Sequence, residues 1–317
     1  MPAALARQPA PAWGQAVAAL LPDGRLHLQH GPIDLVIGIA GDGDEVERAR
    51  RQAVARFADV LETLVAELSL LRTPLGTDPP PLAGPVARRM LAACWPHRAV
   101  YITPMAAVAG AVADEVLVAL VAGRTLRRVH VNNGGDIALW MAQGERFRIG
   151  LAGIEDGRLH GDLDLRHTDP WRGVATSGWR GRSQSLGIAD AVTVIARDAA
   201  GADAAATLLA NAVNVDHPDI VRRPARELRD DSDLGMLPVT VEVPTLPAAA
   251  IDAALDAGST EARRMQALGL IGPACLRLQG RGVVIEPGTP QSPARARAPA
   301  GGHGCSRSED EDSPSNH

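Results

Sequence analysis

Lysine is absent: all 32 basic side chains among the 317 residues are arginine. That excludes Schiff-base chemistry, a lysine general base and a complete Walker A phosphate loop. Aromatic residues make up only 3%, so the core has to be built mainly from Ala, Val, Leu and Ile. Cysteine is scarce as well. Cys94, Cys275 and Cys305 form no CxxC, and their spacing suits neither a zinc site nor a disulfide framework. This points to a reducing compartment. There is no positive excess: the net charge is −5, which makes a poor non-specific binder of nucleic acid. An unbroken apolar span is missing too. The longest apolar stretch, Ala99 to Ala122, is interrupted by Pro104 and by Asp114-Glu115, so it reads as a poor membrane span. The N-terminus lacks a charged start followed by an apolar run. The expectation is a cytoplasmic protein with neither nucleic-acid nor membrane partners.

What is present has the balance of an ordinary globular chain, 46% hydrophobic and 22% charged. Residues 1–14 read as a loose leader, 15–286 as a single α+β domain, and the Pro-, Gly-, Ser- and Arg-rich 287–317 as a disordered tail. Ala16–Leu21 and Arg25–Gln29 flank a turn signal and predict a hairpin. Ile33–Ala40 predicts a third strand. Helical spacing of Val54, Phe57, Val60, Leu61, Leu64, Val65 and Leu68 predicts one long helix over Asp44–Leu71. Further helices are expected over Gly84–Trp95 and Pro104–Val121. The period then switches to a meander of Arg128–Asn132, Ile137–Ala142 and Arg146–Leu151. Residues 152–189 read as irregular and Ala191–Ala196 as a buried strand. Ala202–Val213 reads as a helix, and 216–245 as loop with a charge cluster at Arg222–Asp233. Helices near Pro247–Leu255 and Thr260–Leu268 and a closing strand, Cys275–Ile285, complete the chain. Helices grouped before and after antiparallel strands indicate α+β.

Three constellations can carry chemistry. Asn132-Asn133-Gly134-Gly135-Asp136 joins two strands. Paired glycines let backbone N–H groups approach a phosphate or a ribose, and the Asp can hold hydroxyls or a metal; the same residues are also good hairpin chemistry. Asp203, Thr207 and Asn211 lie at i, i+4 and i+8 on one helix face. A carboxylate and a hydroxyl one turn apart are an oxygen-ligand pair for Mg²⁺. The alternative is that Asp203 caps the helix and Thr207 bonds back to a carbonyl. The stretch Trp171–Gly187 holds Arg172, Arg180 and Arg182, with Ser177, Ser183 and Ser185 among four glycines. It reads either as a solvated surface loop or as an anion-wrapping loop whose two tryptophans stack on a flat ring. His160 and His167 precede that loop and are placed to approach it. His130 reads as structural, and His97, His217 and His303 have no partners at ligand spacing.

In order, these segments resemble the ApbE-like superfamily of FAD:protein FMN transferases, nearest to its shorter UPF-numbered cytoplasmic branch. The resemblance runs from about residue 56 to 213. It passes through Glu67–Leu71, Val108–Asp114, Asn133-Gly134-Gly135-Asp136, Ala175-Thr176-Ser177-Gly178, Asp190–Ala196 and Ala202–Thr207. It implies a two-lobed α+β fold with FAD in the cleft and Mg²⁺ on its pyrophosphate. It places metal ligation on Asp203, Thr207 and a backbone carbonyl near Val108. FAD contacts fall on Asn133, Gly134, Gly135, Asp136 and Ser177. The chain departs from the family pattern where Ala-Lys-Gly becomes Val108-Ala109-Gly110, so Ala109 replaces the lysine. Ala111 stands where an aromatic usually follows. The histidine-bearing segment is shortened to Ser183–Gly187. Arg180 or Arg182 is positioned to replace the lost cation.

The resemblance therefore implies a Mg²⁺-dependent flavin transferase, or an FAD pyrophosphatase with water as acceptor, with Asp203 as metal ligand and proton acceptor. Its partners would be a small nucleotide ligand and a protein acceptor of FMN. The lost lysine and histidine leave open a non-catalytic anion-binding or maturation role on the same fold.

Overall fold

Alternating burial along short strands builds the sheet at the centre of this protein, seen in a computed structural model that describes residues 14–152 and 159–287. The expected leader up to residue 13, the tail from residue 288, Cys305, His303 and the side chain of His160 lie outside the described residues. Val17–Leu20 (β1) and Leu26–His30 (β2) form the predicted hairpin, and β2 pairs with Ile33–Gly41 (β3). Leu26, Leu28, Ile33, Leu35 and Ile37 all turn inward, the period-two signature of a half-buried strand.

The long helix predicted over 44–71 is broken into Gly43–Phe57 (α1), Val60–Ala66 (α2) and Leu68–Leu71 (α3). Asp59 and Glu67 leave the helical backbone at φ −116° and −109°. The apolar spacing runs on through Phe57, Leu61, Leu64 and Leu71, so periodicity cannot register the bends. At the second bend Glu67 turns its carboxylate to Ala83 and Gly84, accepting their N–H groups at 2.6 and 2.9 Å. That caps the start of Pro85–Cys94 (α4), whose own leading glycine offers no side chain.

The apolar run at 104–121 becomes a 3-10 turn followed by Val108–Val121 (α5). It is long and apolar enough to cross a membrane by length and composition. In the structure, most of its residues from Gly110 to Leu120 are buried in the protein's own core. Leu126–Asn133 (β4) and Asp136–Met141 (β5) follow it as a hairpin.

Here the structure corrects the meander. Arg146–Ala152 (β6) does not lie beside β5. It leaves the sheet and pairs with Leu159–Arg166 (β7), while β5 takes Gly173–Ser177 (β8) as its neighbour. Leu139, Met141, Val174 and Ile195 form a small core that Leu165, Phe147 and Ile149 cover. The third strand's apolar side chains thus serve the sheet's second face, a choice that strand periodicity does not encode.

Ala191–Ala196 (β9) leads into Ala199–Ala212 (α6). The expected loop at 216–245 contains Val221–Pro224 (β10), Ala225–Leu228 (α7) and Pro238–Glu242 (β11). Ala248–Ala267 (α8) is one helix rather than two, because Gly258 and Ser259 are buried packing residues. The closing strand is a pair, Ile271–Leu278 (β12) and Arg281–Ile285 (β13). The main sheet runs β1-β2-β3-β4-β5-β8-β9-β12-β13, antiparallel throughout. Helices α1, α5, α6 and α8 share a common core with its other face. The class is α+β.

The centre of that helix layer is the crossing of α5 and α6, and it satisfies the donors at both N-termini. Asp114 of α5 accepts the N–H groups of Ala199 and Ala200 at 3.0 and 2.9 Å. Asp198 accepts Gly201 N–H at 2.7 Å. Asp203 of α6 in return accepts Gly110 N–H, at the start of α5, at 3.0 Å. Each helix thus caps the other, and orphan amides that would otherwise be buried unpaired are accounted for. Burial and the nearby Asp198 charge push Asp114 up to about 7, against the opposing pull of the two amides. Asp114→Ala is expected to lower stability by about 2–3 kcal/mol, since it leaves two buried donors without an acceptor. Chemical denaturation measures this; a loss below about 0.5 kcal/mol would contradict the capping role.

Candidate functional site

The α5–α6 crossing also sets the site, because the residues beside the caps face open space. Asp198 and Asp114, not Asp203, cap α6. Asp203 sits a full turn further along, its carboxylate reaching the amide end of α5. Thr207, one turn on, does not bond back to a carbonyl: among the described residues its hydroxyl has no hydrogen-bond partner. Asp203 therefore caps α5 rather than its own helix, and both Asp203 and Thr207 line a polar cavity. Asn211 completes the helix face and works as a clamp, its Oδ1 accepting from Ser185 Oγ at 3.2 Å and Leu186 N–H at 2.9 Å.

The β4–β5 turn is brought to the same place. Gly134 and Gly135 hold φ of +66° and +117°, as a two-residue hairpin loop demands. Asn132 Oδ1 accepts Gly135 N–H at 2.8 Å, and Asn133 Nδ2 donates to Ala109 O at 3.0 Å, tying the turn to the start of α5. The bare Cα of Gly134 has a second use. A Cβ there would meet the Arg182 guanidinium, so the glycine is what lets that cation lie against the turn.

Two adjoining cavities result. A polar one of about 310 Å³ is lined by Val108, Asp136, Asp203, Thr207 and Asn211, with Tyr101, Thr103, Arg229, Asp231, Ser232 and Asp233 opposite. A more apolar one of about 730 Å³ runs between Ile33, Leu61, Leu64, Leu68 and Leu71 on one side and Asn133–Asp136, Ser177, Gly178 and Arg182 on the other. Arg72, Met105, Val108, Ala109, Asp136, Ser183 and Asp231 line both and form the shared wall.

Asp136 and Asp203 are both buried carboxylates lining the polar cavity. Burial pushes Asp136 up to about 7, opposed by a Thr176 amide and by Arg182. Burial and then the Asp136 charge push Asp203 well above the usual carboxylate range. A buried carboxylate raised by a second carboxylate beside it is favoured in its charged form by a proton taken up on that neighbour or by a cation. With the unpartnered Thr207 hydroxyl the two carboxylates make an all-oxygen donor set. Among the described residues no three His, Cys, Asp or Glu side chains meet at ligand spacing. The donors therefore fit a Mg²⁺ that keeps several waters and takes ligand phosphate oxygens, rather than a fully caged metal.

The structure brings together Asp203, Thr207, Val108, Asn133, Gly134, Gly135, Asp136, Ser177 and Arg182. It does not bring Arg180. That guanidinium pairs with Asp190 at 2.9 Å and lies over the Trp179 ring at 4.6 Å, and Arg180 lines neither cavity. The stacking role for the tryptophans is likewise corrected. Trp179 donates to Asp190 at 3.2 Å, and Trp171 packs against Gly272 beneath Arg197; neither lines a cavity. His167 does not reach the site either. Sequence reasoning missed Arg72, which lies just past the predicted helix end at Leu71 and lines both cavities. It also noted the 222–233 charge cluster without a role, although that density of charges beside a small-residue helix was the available signal.

Compared with known proteins, residues 18–284 match the model of a family described as AbpE bacteria. A UPF0280 protein of Methanothrix thermoacetophila is 35% identical over 184 residues, 56% of this chain and 73% of that relative. A UPF0280 protein of Methanopyrus kandleri is 38% identical over 130 residues, spanning 41% of this chain and about half, 51%, of its own length. Among solved structures, the flavin transferase ApbE of Vibrio cholerae aligns over 86% of this chain and 97% of its own at 13% identity and a TM-score of 0.40. The Pseudomonas stutzeri flavinyl transferase ApbE, apo form, covers 86% and 95% at 14% identity and a TM-score of 0.37.

Proposed function

We propose, since this chain belongs to the AbpE bacteria family in the UPF0280 branch of the ApbE-like superfamily, that it binds FAD with Mg²⁺ and cleaves the FAD diphosphate, transferring FMN to a hydroxyl acceptor. The observation that carries the reading is the convergence of Asp136, Asp203 and Thr207 on a polar cavity that opens into an apolar one. Asp203, Thr207, Asp136 and a backbone carbonyl near Val108 would hold the cation. When bound, Mg²⁺ supplies charge neutralisation on the diphosphate. The rest is done by this chain's own side chains. Arg182, fixed against Gly134, sets a positive charge beside the carboxylates and orients the anion. Aliphatic side chains of α2 and α3 face the glycine-rich wall across a slot that suits a flat ring and excludes water from one side of it. The acceptor oxygen bonds to the phosphorus of the FMN half, and AMP leaves with the electron pair of the broken P–O bond. The hydroxyl proton passes to Asp203 Oδ. The acceptor is a Thr hydroxyl of a partner protein, or water in the hydrolytic variant, and the setting is cytoplasmic.

Incubation with FAD, Mg²⁺ and a Thr-containing acceptor, followed by mass spectrometry, tests this directly. A covalent FMN adduct with AMP release is expected; FAD recovered intact would defeat the catalytic reading. A second reading has its own observation: Ala109 stands at the shared wall where the transferases carry lysine, and among the described residues no histidine lines either cavity. FAD retained without AMP release would select that non-catalytic, ligand-binding role. In either case Arg182→Ala is expected to weaken FAD binding by about tenfold, while Arg180→Ala leaves it within about twofold. Flavin fluorescence titration separates the two arginines.

A further inference from the structure

The long loop of the β10–β11 hairpin lies at the mouth of the polar cavity. Its base is fixed: Gln184 Nε2 donates to Ala225 O at 3.0 Å, and Thr240 N–H donates to Ser185 O at 2.8 Å. Its tip, Arg229–Leu234, is held differently. Arg72 Nη2 pairs with Asp231 at 2.7 Å. Tyr101 Oη donates to Asp233 O at 2.7 Å, and the Thr103 hydroxyl to the Asp233 carboxylate at 2.5 Å. Arg229 Nη2 donates to Arg182 O at 2.7 Å. The flanking apolar residues Leu228 and Met236 are exposed, so they add little burial to anchor the tip. Ser232 Oγ also donates to Gln184 Oε1 at 2.5 Å. The tip is thus tied by polar contacts that are exposed at Arg72–Asp231 and part-buried at Thr103–Asp233 and Ser232–Gln184. A segment held by such contacts with little apolar burial opens at lower free energy than the core.

The direction of those contacts is informative. Arg72, Tyr101 and Thr103 line the cavity as donors, and each donates to an oxygen of the tip. A phosphate group presents the same kind of acceptor. Arg72 also lines both cavities, where the charged middle of a ligand spanning them would lie.

We propose that Arg229–Leu234 is a gate in which Asp231 occupies, on Arg72, the place that a phosphate group of the ligand takes. The ligand class is a phosphorylated molecule with an apolar portion. Its entry exchanges one anion for another on Arg72 and releases the tip. The identity of that molecule rests on the function proposed above; the exchange does not.

The test uses inorganic pyrophosphate and the full chain in EDTA, so that neither flavin nor divalent cation enters. Calorimetry is expected to show Asp231→Asn binding pyrophosphate about two- to fivefold more tightly than wild type, the range an exposed ion pair allows. Arg72→Gln is expected to bind about tenfold more weakly, and Asp231→Asn added to Arg72→Gln should change nothing further. Amide exchange over 230–235 should speed up when pyrophosphate binds. Unchanged or weaker binding by Asp231→Asn, an effect that persists without Arg72, slowed exchange, or no pyrophosphate binding by Asp231→Asn would each overturn the gate. Asp231 is exposed, so the variant folds, and unchanged thermal midpoints verify it. If FAD is neither retained nor cleaved while pyrophosphate affinity still depends on Asp231, the flavin assignment fails and the gate stands. If FAD is cleaved while Asp231→Asn is neutral, the reverse holds.

Discussion

Asp203→Asn is expected to leave the cation-free protein at least as stable as wild type while lowering FAD cleavage by at least about a hundredfold, the scale of losing a group that stabilises developing charge. The two halves of that expectation have one cause. In the native protein the Asp203 carboxylate is raised by burial and by Asp136, so ionising it at neutral pH works against the fold. Asparagine removes the repulsion and keeps an oxygen to accept Gly110 N–H, the bond that caps α5 at 3.0 Å. It cannot replace the anionic oxygen that holds a divalent cation. Differential scanning fluorimetry with and without Mn²⁺ separates these effects. Wild type should gain thermal stability with the ion and Asp203→Asn should not. An equal gain in both would move the cation away from Asp203. A large loss of stability without the ion would mean that the carboxylate is structural first.

How much of this was legible beforehand depends on the range over which each signal acts. Asp203 and Thr207 are one helical turn apart, so their shared face follows from spacing. The Gly134-Gly135 turn follows from local backbone demand. Asp114 read as an interruption of an apolar run and as the end of one resembling segment, with no role of its own, yet it caps a helix that begins 85 positions later. No local rule reaches across that separation. Arg180 and Arg182 were indistinguishable in sequence, two residues apart in a flexible, glycine-rich stretch. Asp190 decided between them by taking Arg180. β6 has the strand period but not the partner that order along the chain suggests, because period assigns a face and not a neighbour. The tip at Asp231 could be seen as charged; that its charge is met by Arg72 depends on where a loop folds back over 159 positions.

Gly110→Ala is expected to destabilise the protein by about 4 kcal/mol or more, although alanine in a helix is intrinsically favoured over glycine by about 1 kcal/mol. Packing decides the sign. A Cβ at 110 would stand 2.2 Å from Ala199 O, 2.4 Å from Ala199 C and 2.7 Å from Ala200 N. All three are backbone atoms of the first turn of α6, so no side chain can rotate away and the two helices have to part. Overpacking alone accounts for about 1–3 kcal/mol. Parting also stretches the bonds from Ala199 and Ala200 to Asp114 and from Gly110 to Asp203, each leaving a buried donor short of its acceptor at about 1–3 kcal/mol. Gly43→Ala, at the first turn of α1 with open space around its Cα, is the control and should change stability by less than about 1 kcal/mol. Because the crossing holds both Asp203 and the amide end of α5, Gly110→Ala should also abolish the thermal gain from Mn²⁺. A folded Gly110→Ala protein that keeps that gain would show that the close crossing is dispensable to the site, and that Asp203 is positioned by the sheet rather than by α5.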